Sequence, residues 1–452
     1  MPFGHYQKLI NRAYYRMKSG EDLFGAGGGG RKGDFVTMAS HDSRIGHALA
    51  EEAHKSLRRA AKVPRRIRIC ELGVGNGNLA ATFLDRFKEL DNTHNTEFYK
   101  RLDYVLGDYS EAILKDVRKS PQIEAHSNAG VTTFVNLSAD AMPFRNGSLF
   151  RMISHELWDD LGTEILVKRG DKVKKVHMMP ILRTGTKIRD KNGVEVVPEE
   201  FKKDFRANDP KKLERYAPSV LKGLKMSPTE SDVAWENIPY SNIVKKQLKG
   251  VKEGVFMMVN TGMIRNLEAA KRALMPRRGI YHAFDYGYWS EDEVMNGISR
   301  GGGRETKVSP YKGFGGQVTS AVNLPLGKRI AEHLGFKRVA IGAESEFVSK
   351  HLGEGVISIG HLVRFHPELL EEKTGTFEYL IKDMMMGIDT SGAFEGMKRK
   401  GKPKIIHPSF YVTRNEVDRV MGTLYGKGFK KESIDSAFKV PDRRYVHMEL
   451  RA

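Results

Sequence analysis

The chain has 452 residues, of which 75 are Lys or Arg and 56 are Asp or Glu, and its formal net charge at pH 7 is +19. No run approaches the roughly 20 apolar residues of a membrane span, and the single cysteine, Cys70, excludes an internal disulfide and a multi-cysteine zinc site. The length predicts one large domain with insertions or several ordinary domains. The positive charge favours a nucleic acid or ribonucleoprotein partner, and the alternative is a lysine-rich surface that is merely solvated.

The N-terminal segment is predicted to be a helix. Residues 5–17 place apolar and aromatic side chains on one helical face, which must dock on the rest of the protein. We therefore interpret this segment as structure and expect a cytoplasmic location. Its arginines and its lack of acids before Glu21 keep a presequence for the mitochondrial matrix as the alternative. A glycine cluster at 25–33 predicts a mobile linker, and a second helix is expected near 43–61.

A glycine-rich turn at 71–77 is the motif around which the chain is organised. A β-branched strand ends in Glu71, and an apolar helical pattern begins near Leu79. Glycine allows backbone N–H groups to approach a ligand without a Cβ in the way. A dinucleotide fingerprint would need glycine where Asn78 stands, and no phosphate-loop Lys-Ser/Thr follows. An acid beside the turn favours S-adenosylmethionine (SAM) over a nucleotide. The predicted cofactor residues of this turn are Glu71, Gly73, Gly75, Gly77 and Asn78.

Two further strands should carry cofactor contacts at their carboxyl ends. Asp108 ends the second strand and is followed by Tyr109 and Ser110, a place where a carboxylate can bind ribose hydroxyls. The alternative is an acid at a helix start, which Ser110 would cap. Ala139 and Asp140 follow the third strand, where class I methyltransferases commonly recognise adenine. The alternative there is an ordinary turn aspartate.

An acidic cluster follows the fourth predicted strand. Residues 155–161 read His-Glu-Leu-Trp-Asp-Asp-Leu, which places three carboxylates within five residues. In a doubly wound sheet this position faces the ligand crevice. Carboxylates there suit a cationic substrate, and the alternative is an acidic first turn of a helix.

The remaining chain predicts an interrupted sheet. Residues 165–250 are lysine-rich and interpreted as an insertion, after which the sheet is expected to resume at 254–259 and continue at 279–287, 337–341 and 356–364. The predicted fold is α/β, a class I (Rossmann-like) methyltransferase sheet with helices on both faces, an N-terminal helical segment and an inserted subdomain. The predicted division is 1–60 (N-terminal helices and cofactor-covering segment), 61–164 (first part of the core), 165–250 (basic insertion), 251–365 (second part of the core) and 366–452 (basic C-terminal extension).

Taken in order, these segments resemble the MidA-like SAM-dependent methyltransferases. The resemblance covers roughly residues 1–365. It is carried by Pro2 to Tyr15, Gly33-Asp-Phe-Val-Thr37 with Ser40, Glu71 to Leu79, Asp108-Tyr-Ser110, His155-Glu-Leu-Trp-Asp159, Asp285-Tyr-Gly287 and Gly316 to Asn323. This chain departs from the family pattern at four places: His155 replaces Asn, Asp160-Leu-Gly162 replaces Ala-x-Pro, Gln317 replaces Asp, and the family's Gly-Thr-Leu stretch after Asp-Tyr-Gly is absent as such. These departures bear on the substrate more than on the fold or cofactor.

The resemblance implies an activity and a set of roles. Mitochondrial members of the family are complex I assembly factors that methylate an arginine of a partner subunit, so a protein-arginine substrate is expected here. Glu156 would hold the guanidinium and take its proton, with Asp159 in support. Asp285 and Tyr286 would line the pocket, His155 could relay the proton, and Thr37 would lie in the segment that closes over SAM.

Two alternatives stay open from the sequence. An RNA methyltransferase is favoured by the charge of +19 and opposed by the acidic cluster, which would repel phosphate. A SAM-binding assembly factor without turnover is opposed by the presence of Glu156 beside a complete cofactor motif.

Overall fold

The computed structural model describes most of the chain. The described residues are 1–18, 39, 42–182, 185, 187–300, 305–314, 316–366, 411–418, 431–439, 442 and 445–452. The predicted linker at 25–33, the cofactor residue Thr37 and Ser40 lie outside these ranges. Within them, each helix is too short or too polar to cross a membrane.

The chain alternates helices with strands through its first half and then becomes more irregular. The α-helices are α1 (Phe3–Met17), α2 (Arg44–Arg58), α3 (Asn78–His94), α4 (Glu111–Lys119), α5 (Pro121–Asn128), α6 (Pro198–Arg206), α7 (Pro210–Leu213), α8 (Pro218–Lys222), α9 (Ser241–Gly250), α10 (Thr261–Ala273), α11 (Glu291–Asn296), α12 (Leu324–His333), α13 (Glu344–Leu352), α14 (Ile359–Phe365) and α15 (Lys431–Lys439). The strands are β1 (Ile67–Leu72), β2 (Leu102–Asp108), β3 (Thr132–Asn136), β4 (Arg151–His155), β5 (Glu164–Arg169), β6 (Lys172–Leu182), β7 (Leu224–Asp232), β8 (Phe256–Val259), β9 (Ile280–Asp285), β10 (Gly287–Tyr288), β11 (Ile298–Ser299), β12 (Thr306–Lys307), β13 (Tyr311–Phe314), β14 (Gln317–Ser320), β15 (Val322–Asn323), β16 (Arg338–Ala343), β17 (Val356–Ser358), β18 (Tyr411–Thr413) and β19 (Val446–Arg451).

A seven-stranded sheet in the order β16-β19-β9-β4-β1-β2-β3 forms the centre of the fold. Neighbouring strands from β9 to β3 are parallel, and β19 runs antiparallel to both of its neighbours. The direction of strand addition reverses between β1 and β4, and ligands of such sheets bind at the carboxyl ends of the strands at this point. The predicted α/β fold with a class I (Rossmann-like) sheet is confirmed.

Strand β1 shows why the sheet lies in the middle of the molecule. Ile67 and Ile69 pack into one hydrophobic cluster, and Cys70 and Leu72 pack into another on the opposite face. A strand alternates its side chains between the two faces of a sheet, so apolar residues at successive positions require cover on both sides. Cys70 is fully buried in this packing, and burial raises the pKa of its thiol, which makes it a packing residue.

A second, four-stranded antiparallel sheet has the order β7-β6-β5-β8. The prediction that residues 254–259 resume the central sheet is wrong, because β8 pairs with β5 in the register Glu164↔Val259. A short apolar run is compatible with any buried strand, and periodicity does not identify its partner. The strand predicted at 356–364 is also wrong in its second half. Ser358 Oγ accepts the His361 N–H, and this cap begins α14.

The end of the chain belongs to the central sheet. The predicted division placed residues 366–452 in an extension outside the core, but β19 lies between β9 and β16. Its register pairs Val446 with both Asp285 and Ala343. The other boundaries of the predicted division stay predictions.

Candidate active site

The glycine turn after β1 has the backbone geometry that its sequence predicts. Gly73, Gly75 and Gly77 have φ values of +72°, +54° and +81°, a region that side-chain-bearing residues rarely occupy. A Cβ on Gly77 would lie 2.8 Å from a methyl carbon of Val117. Asn78, a predicted cofactor residue, instead donates through its amide to the carbonyls of Ala39 and Asp42, at 2.8 and 3.2 Å. Its side chain ties the turn to the preceding segment.

Glu71 is a buried acid at the start of this turn. Its side chain accepts a hydrogen bond of 2.6 Å from the Tyr104 hydroxyl. Burial raises the pKa of Glu71 to about 8, while the Tyr104 hydrogen bond and the charge of His155 oppose this shift and Asp108 adds to it. A buried carboxyl of this kind ionises most readily when a cation lies beside it.

The carboxyl end of β2 places Asp108 beside Glu71. Asp108 Oδ1 accepts the Ser110 N–H at 2.8 Å, and burial raises its pKa to about 6. Ser110 caps α4 by accepting the Ile113 N–H, as the capping alternative expected. The Asp108 carboxylate also accepts backbone hydrogen bonds from Val74 and Tyr109, and its contact with ribose stays a prediction. The Tyr109 hydroxyl donates to the Asn11 carbonyl at 3.1 Å, which joins α1 to this corner.

Asp140 lies in a cluster of basic side chains. Lys8 Nζ is 2.5 Å from its carboxylate, Arg265 is at 3.5 Å and Arg12 at 3.6 Å. Although burial raises the pKa of Asp140, the Lys8 and Ser138 hydrogen bonds hold it at about 2. The structure thus gives this carboxylate a role in docking α1, which the sequence did not predict. Its contact with adenine stays a prediction, as does that of Ala139.

The loop after β4 contains a strained residue, Glu156. Its φ is +48°, and its N–H donates to the Phe284 carbonyl at 2.8 Å. A non-glycine residue in the left-handed region costs on the order of 1 kcal/mol or more, and such residues cluster at functional sites. The loop is held in this conformation by contacts from the neighbouring strand β9.

Asp285 supplies those contacts. Its Oδ2 accepts the N–H groups of Trp158 at 2.8 Å and Asp159 at 3.3 Å. Its Oδ1 accepts the N–H of Tyr286 at 2.8 Å. Burial and the charge of Asp159 raise its pKa well above the ordinary value. The Asp285 carboxylate thus holds the backbone of the loop that carries the acids, and its predicted place in the pocket lining stays a prediction.

Asp159 is buried in this loop, and Asp160 is half-buried beside it. Asp159 accepts a hydrogen bond of 2.5 Å from the Tyr286 hydroxyl, and burial raises its pKa to about 6. Asp160 accepts from the Tyr15 hydroxyl at 2.6 Å and from the Gln317 amide. Burial and the charge of Asp159 raise the pKa of Asp160 as well. Tyr286 therefore contacts the acidic cluster through Asp159, and its place in the substrate pocket stays a prediction.

His155 stands between two carboxylates. Its Nε2 is 3.1 Å from Glu344 Oε2, and its Nδ1 is 3.7 Å from Glu156 Oε1. Although burial lowers the pKa of His155, the charge of Glu344 raises it overall. Glu344 accepts a second hydrogen bond, of 2.8 Å, from the Tyr411 hydroxyl. Sequence reasoning missed Glu344 and Tyr411, which lie far from His155 along the chain and in no recognisable motif.

Helix α1 covers the site through side-chain contacts that the sequence analysis did not predict. Gln7 donates through Nε2 to the Asp159 carbonyl at 2.6 Å. Asn11 donates to the Val318 carbonyl at 2.8 Å and the Asp160 carbonyl at 3.2 Å. A signal for both was available, because they are buried amides four residues apart on a helix whose other buried positions are mostly apolar.

The assembled site is acidic and largely buried. Carboxyls with raised pKa values, namely Glu71, Asp108, Asp159, Asp160 and Asp285, share it with Glu156 and the buried imidazole of His155. Buried charges are costly unless paired, so the arrangement favours ligands that carry positive charge. SAM is such a ligand. Within the turn, the Gly73 N–H donates to the Gly107 carbonyl at 2.8 Å and the Gly77 N–H to the Val74 carbonyl at 2.9 Å, which fixes the backbone of the turn.

Two solved structures from Burkholderia thailandensis are similar to this chain. One is a COG1565 superfamily member bound to S-adenosyl-homocysteine, with a TM-score of 0.53 and 14% identity over 100% of this chain and 88% of the other. The second is the native structure of a COG1565 superfamily protein, with a TM-score of 0.50 and 14% identity over 100% and 87% of the two chains. At this identity the likeness shows the fold.

Sequence comparisons place the chain in a family. No curated protein matches it. A family model of S-adenosyl-L-methionine-dependent methyltransferases, Methyltransf_28, matches residues 48–339. This range includes the glycine turn, Glu71 and Asp108 at the ends of β1 and β2, and the loop of Glu156. The match confirms SAM as the predicted cofactor. The chain therefore belongs to the Methyltransf_28 family of SAM-dependent methyltransferases.

Proposed function

We propose that this methyltransferase modifies an arginine side chain of a protein partner, with Glu156 as the residue that holds the guanidinium. The observation that carries the proposal is the strained conformation of Glu156 at the end of β4, where φ is +48°. Hydrogen bonds made by Phe284 and Asp285 hold the loop in this energetically unfavourable conformation. Strain maintained in this way usually serves to aim a side chain.

The chemistry of the substrate explains why a carboxylate is needed. When bound, SAM supplies an electrophilic methyl group on a sulfonium and leaves as the neutral thioether, while the accepting nitrogen gives up one proton. A guanidinium is hardly ever deprotonated in water. Two parallel hydrogen bonds from a carboxylate fix its plane and orient the nitrogen that reacts, and the same carboxylate can accept the proton.

The surrounding residues have supporting roles in this proposal. Asp159, held by the Tyr286 hydroxyl, adds negative charge beside Glu156. Asp285 fixes the loop backbone, so it is a positioning residue and does not contact the substrate. Glu71 and Asp108, at the ends of β1 and β2, would hold the amino-acid and ribose parts of SAM.

RNA is the second candidate substrate because of one specific observation. Residues 165–250 contain twenty Lys or Arg and eleven Asp or Glu, and this basic segment could contact phosphates. The buried acids of the site argue for a cationic substrate instead. Protein-arginine specificity and the MidA-like resemblance both stay proposals, as does a cytoplasmic location.

The test uses methyl-labelled SAM, the purified protein and an extract of cells that lack it. We expect label that resists RNase, disappears with protease and hydrolyses to methylarginine. Glu156→Gln should abolish labelling and still bind SAM, while Glu354→Gln, at an exposed glutamate, should label normally. Label released by RNase would move the function to RNA, and normal labelling by Glu156→Gln would refute the role given to that residue.

A further inference from the structure

His155 is the one buried base within the acidic site, and its two ring nitrogens face different carboxylates. Nε2 lies 3.1 Å from Glu344 Oε2, and Nδ1 lies 3.7 Å from Glu156 Oε1. Both His155 and Glu344 are buried, with Glu344 fully so. The ring is also packed between two aromatic rings, with centroid distances of 5.9 Å to Phe284 and 6.0 Å to Tyr445. Its orientation is therefore fixed.

Glu344 is itself held in place from a third side. The Tyr411 hydroxyl donates to Glu344 Oε1 at 2.8 Å, and the Tyr411 N–H donates to Asp42 Oδ2 at 2.7 Å. The other oxygen of Glu344, Oε2, faces His155 Nε2, so a Glu344 carboxylate can accept from both sides. The result is a buried chain of hydrogen bonds from Tyr411 through Glu344 to His155.

This chain fixes which ring nitrogen carries the proton. Because Glu344 accepts, neutral His155 must donate from Nε2, and Nδ1 is then the nitrogen with a lone pair. That lone pair is on the side of Glu156. A separation of 3.7 Å is longer than a hydrogen bond, but catalytic hydrogen bonds are often long before substrate is bound and shorten in the complex.

We propose that Glu344 is a positioning residue that makes His155 the acceptor of the proton collected by Glu156. This inference rests on the proposed function. The proton leaves the guanidinium nitrogen for Glu156, and it then passes from Glu156 Oε1 to His155 Nδ1. Glu156 returns to its carboxylate form, and His155 becomes an imidazolium whose charge Glu344 balances. The product keeps its guanidinium charge, so one proton is released for each methyl transferred.

The groups that face His155 all favour its protonated form. They are Glu71 on β1, Glu156 and Asp159 on its own loop, and Glu344 at the start of α13. Burial acts against them. His155 is thus a stronger base than an ordinary histidine, provided that Glu344 is present and ionised.

The test follows the titration of His155 and the pH dependence of turnover together. In the wild-type protein, kcat should rise with pH through the pKa that NMR of the labelled imidazole gives for His155. Glu344→Gln should move both the imidazole titration and the limb of the kcat profile to lower pH by about one unit or more, and should lower the plateau at least about tenfold. SAM affinity should not change. Tyr411→Phe, which removes a single hydroxyl, should act in the same direction and more weakly.

A matched control is available in the same chain. His54 Nε2 also lies 3.1 Å from a buried carboxylate, that of Asp91, outside the site. Asp91→Asn should leave the kcat profile in place. Methylarginine formation with an unchanged titration and profile in Glu344→Gln would overturn the inference and leave the proposed function standing. Wild-type protein that forms no methylarginine would overturn the proposed function and the proton route with it.

Discussion

Replacing Glu71 by glutamine should make the ligand-free protein more stable at neutral pH while weakening its hold on SAM. The carboxyl is buried, and its pKa is raised from 4.5 to about 8. A folded-state pKa above the unfolded one means that the folded protein keeps a proton that the unfolded chain releases. The contribution of Glu71 to stability is therefore complete below pH 4.5 and is lost as the pH rises towards 8.

The size of the effect follows from this interval. One pKa unit corresponds to about 1.4 kcal/mol, and the range from pH 5 to pH 7.5 lies between the two pKa values. Over this interval of about 2.5 pH units, the contribution of the Glu71 carboxyl to the unfolding free energy of the wild type should fall by about 3 kcal/mol. Glutamine does not titrate, so the difference in stability between Glu71→Gln and wild type should grow by about this amount.

The assay is urea denaturation at pH 5 and pH 7.5, with and without SAM, followed by tryptophan fluorescence. Trp158 is buried beside the site and reports its unfolding. We expect SAM to stabilise the wild type more at pH 7.5 than at pH 5, because a cationic ligand favours the ionised carboxylate, and to stabilise the variant little. Tyr104→Phe is the control: it removes the 2.6 Å hydrogen bond and keeps the titrating group. Equal pH dependence in Glu71→Gln and wild type would refute the reasoning.

Three further predictions concern the turn, the loop and a buried ion pair. Gly77→Ala should lower the unfolding free energy measured in urea by about 1–3 kcal/mol more than Gly130→Ala does. Both glycines have positive φ, but only at Gly77 would a Cβ lie 2.8 Å from another side chain. Equal losses in the two variants would contradict this. Asp285→Asn should lower kcat about 100-fold through misplacement of the loop with SAM affinity kept in calorimetry, and a loss of SAM binding alone would argue against its positioning role. Glu52→Gln leaves the buried Arg151 guanidinium without its charge partner, so the unfolding free energy in urea at pH 7 should fall by about 3 kcal/mol. The control is Glu51→Gln, at a partly exposed ion pair with Arg86, which should lower it by under about 1 kcal/mol.

Sequence analysis was most informative for features that depend on residues close together in the chain. The glycine turn needs a backbone conformation that only its own residues can provide, so the pattern at 71–77 was sufficient to predict a tight turn between strand and helix and the cofactor. Asp108 and the acids at 156–160 follow strands directly, and the carboxyl ends of parallel strands meet at one edge. Their convergence therefore follows from the strand assignments alone.

What the sequence did not predict depends on contacts between distant segments. The partner of β8 was misassigned because an apolar strand does not encode its neighbour. The ion pair of Asp140 with Lys8 was not predicted because nothing near Asp140 in the chain indicates Lys8. Glu344 sits in the first turn of a helix, where an acid is common for electrostatic reasons, so its contact with His155 was invisible without the fold.

The position of β19 has a consequence for how the protein is made. Of the seven strands of the central sheet, β19 is the last to leave the ribosome, and it lies between β9 and β16 rather than at an edge. Until it is inserted, two strands expose unpaired N–H and C=O groups that can pair with other chains. The nascent protein should thus depend on chaperones that shield open strand edges, and shortening the chain before residue 446 should yield insoluble protein instead of a smaller enzyme.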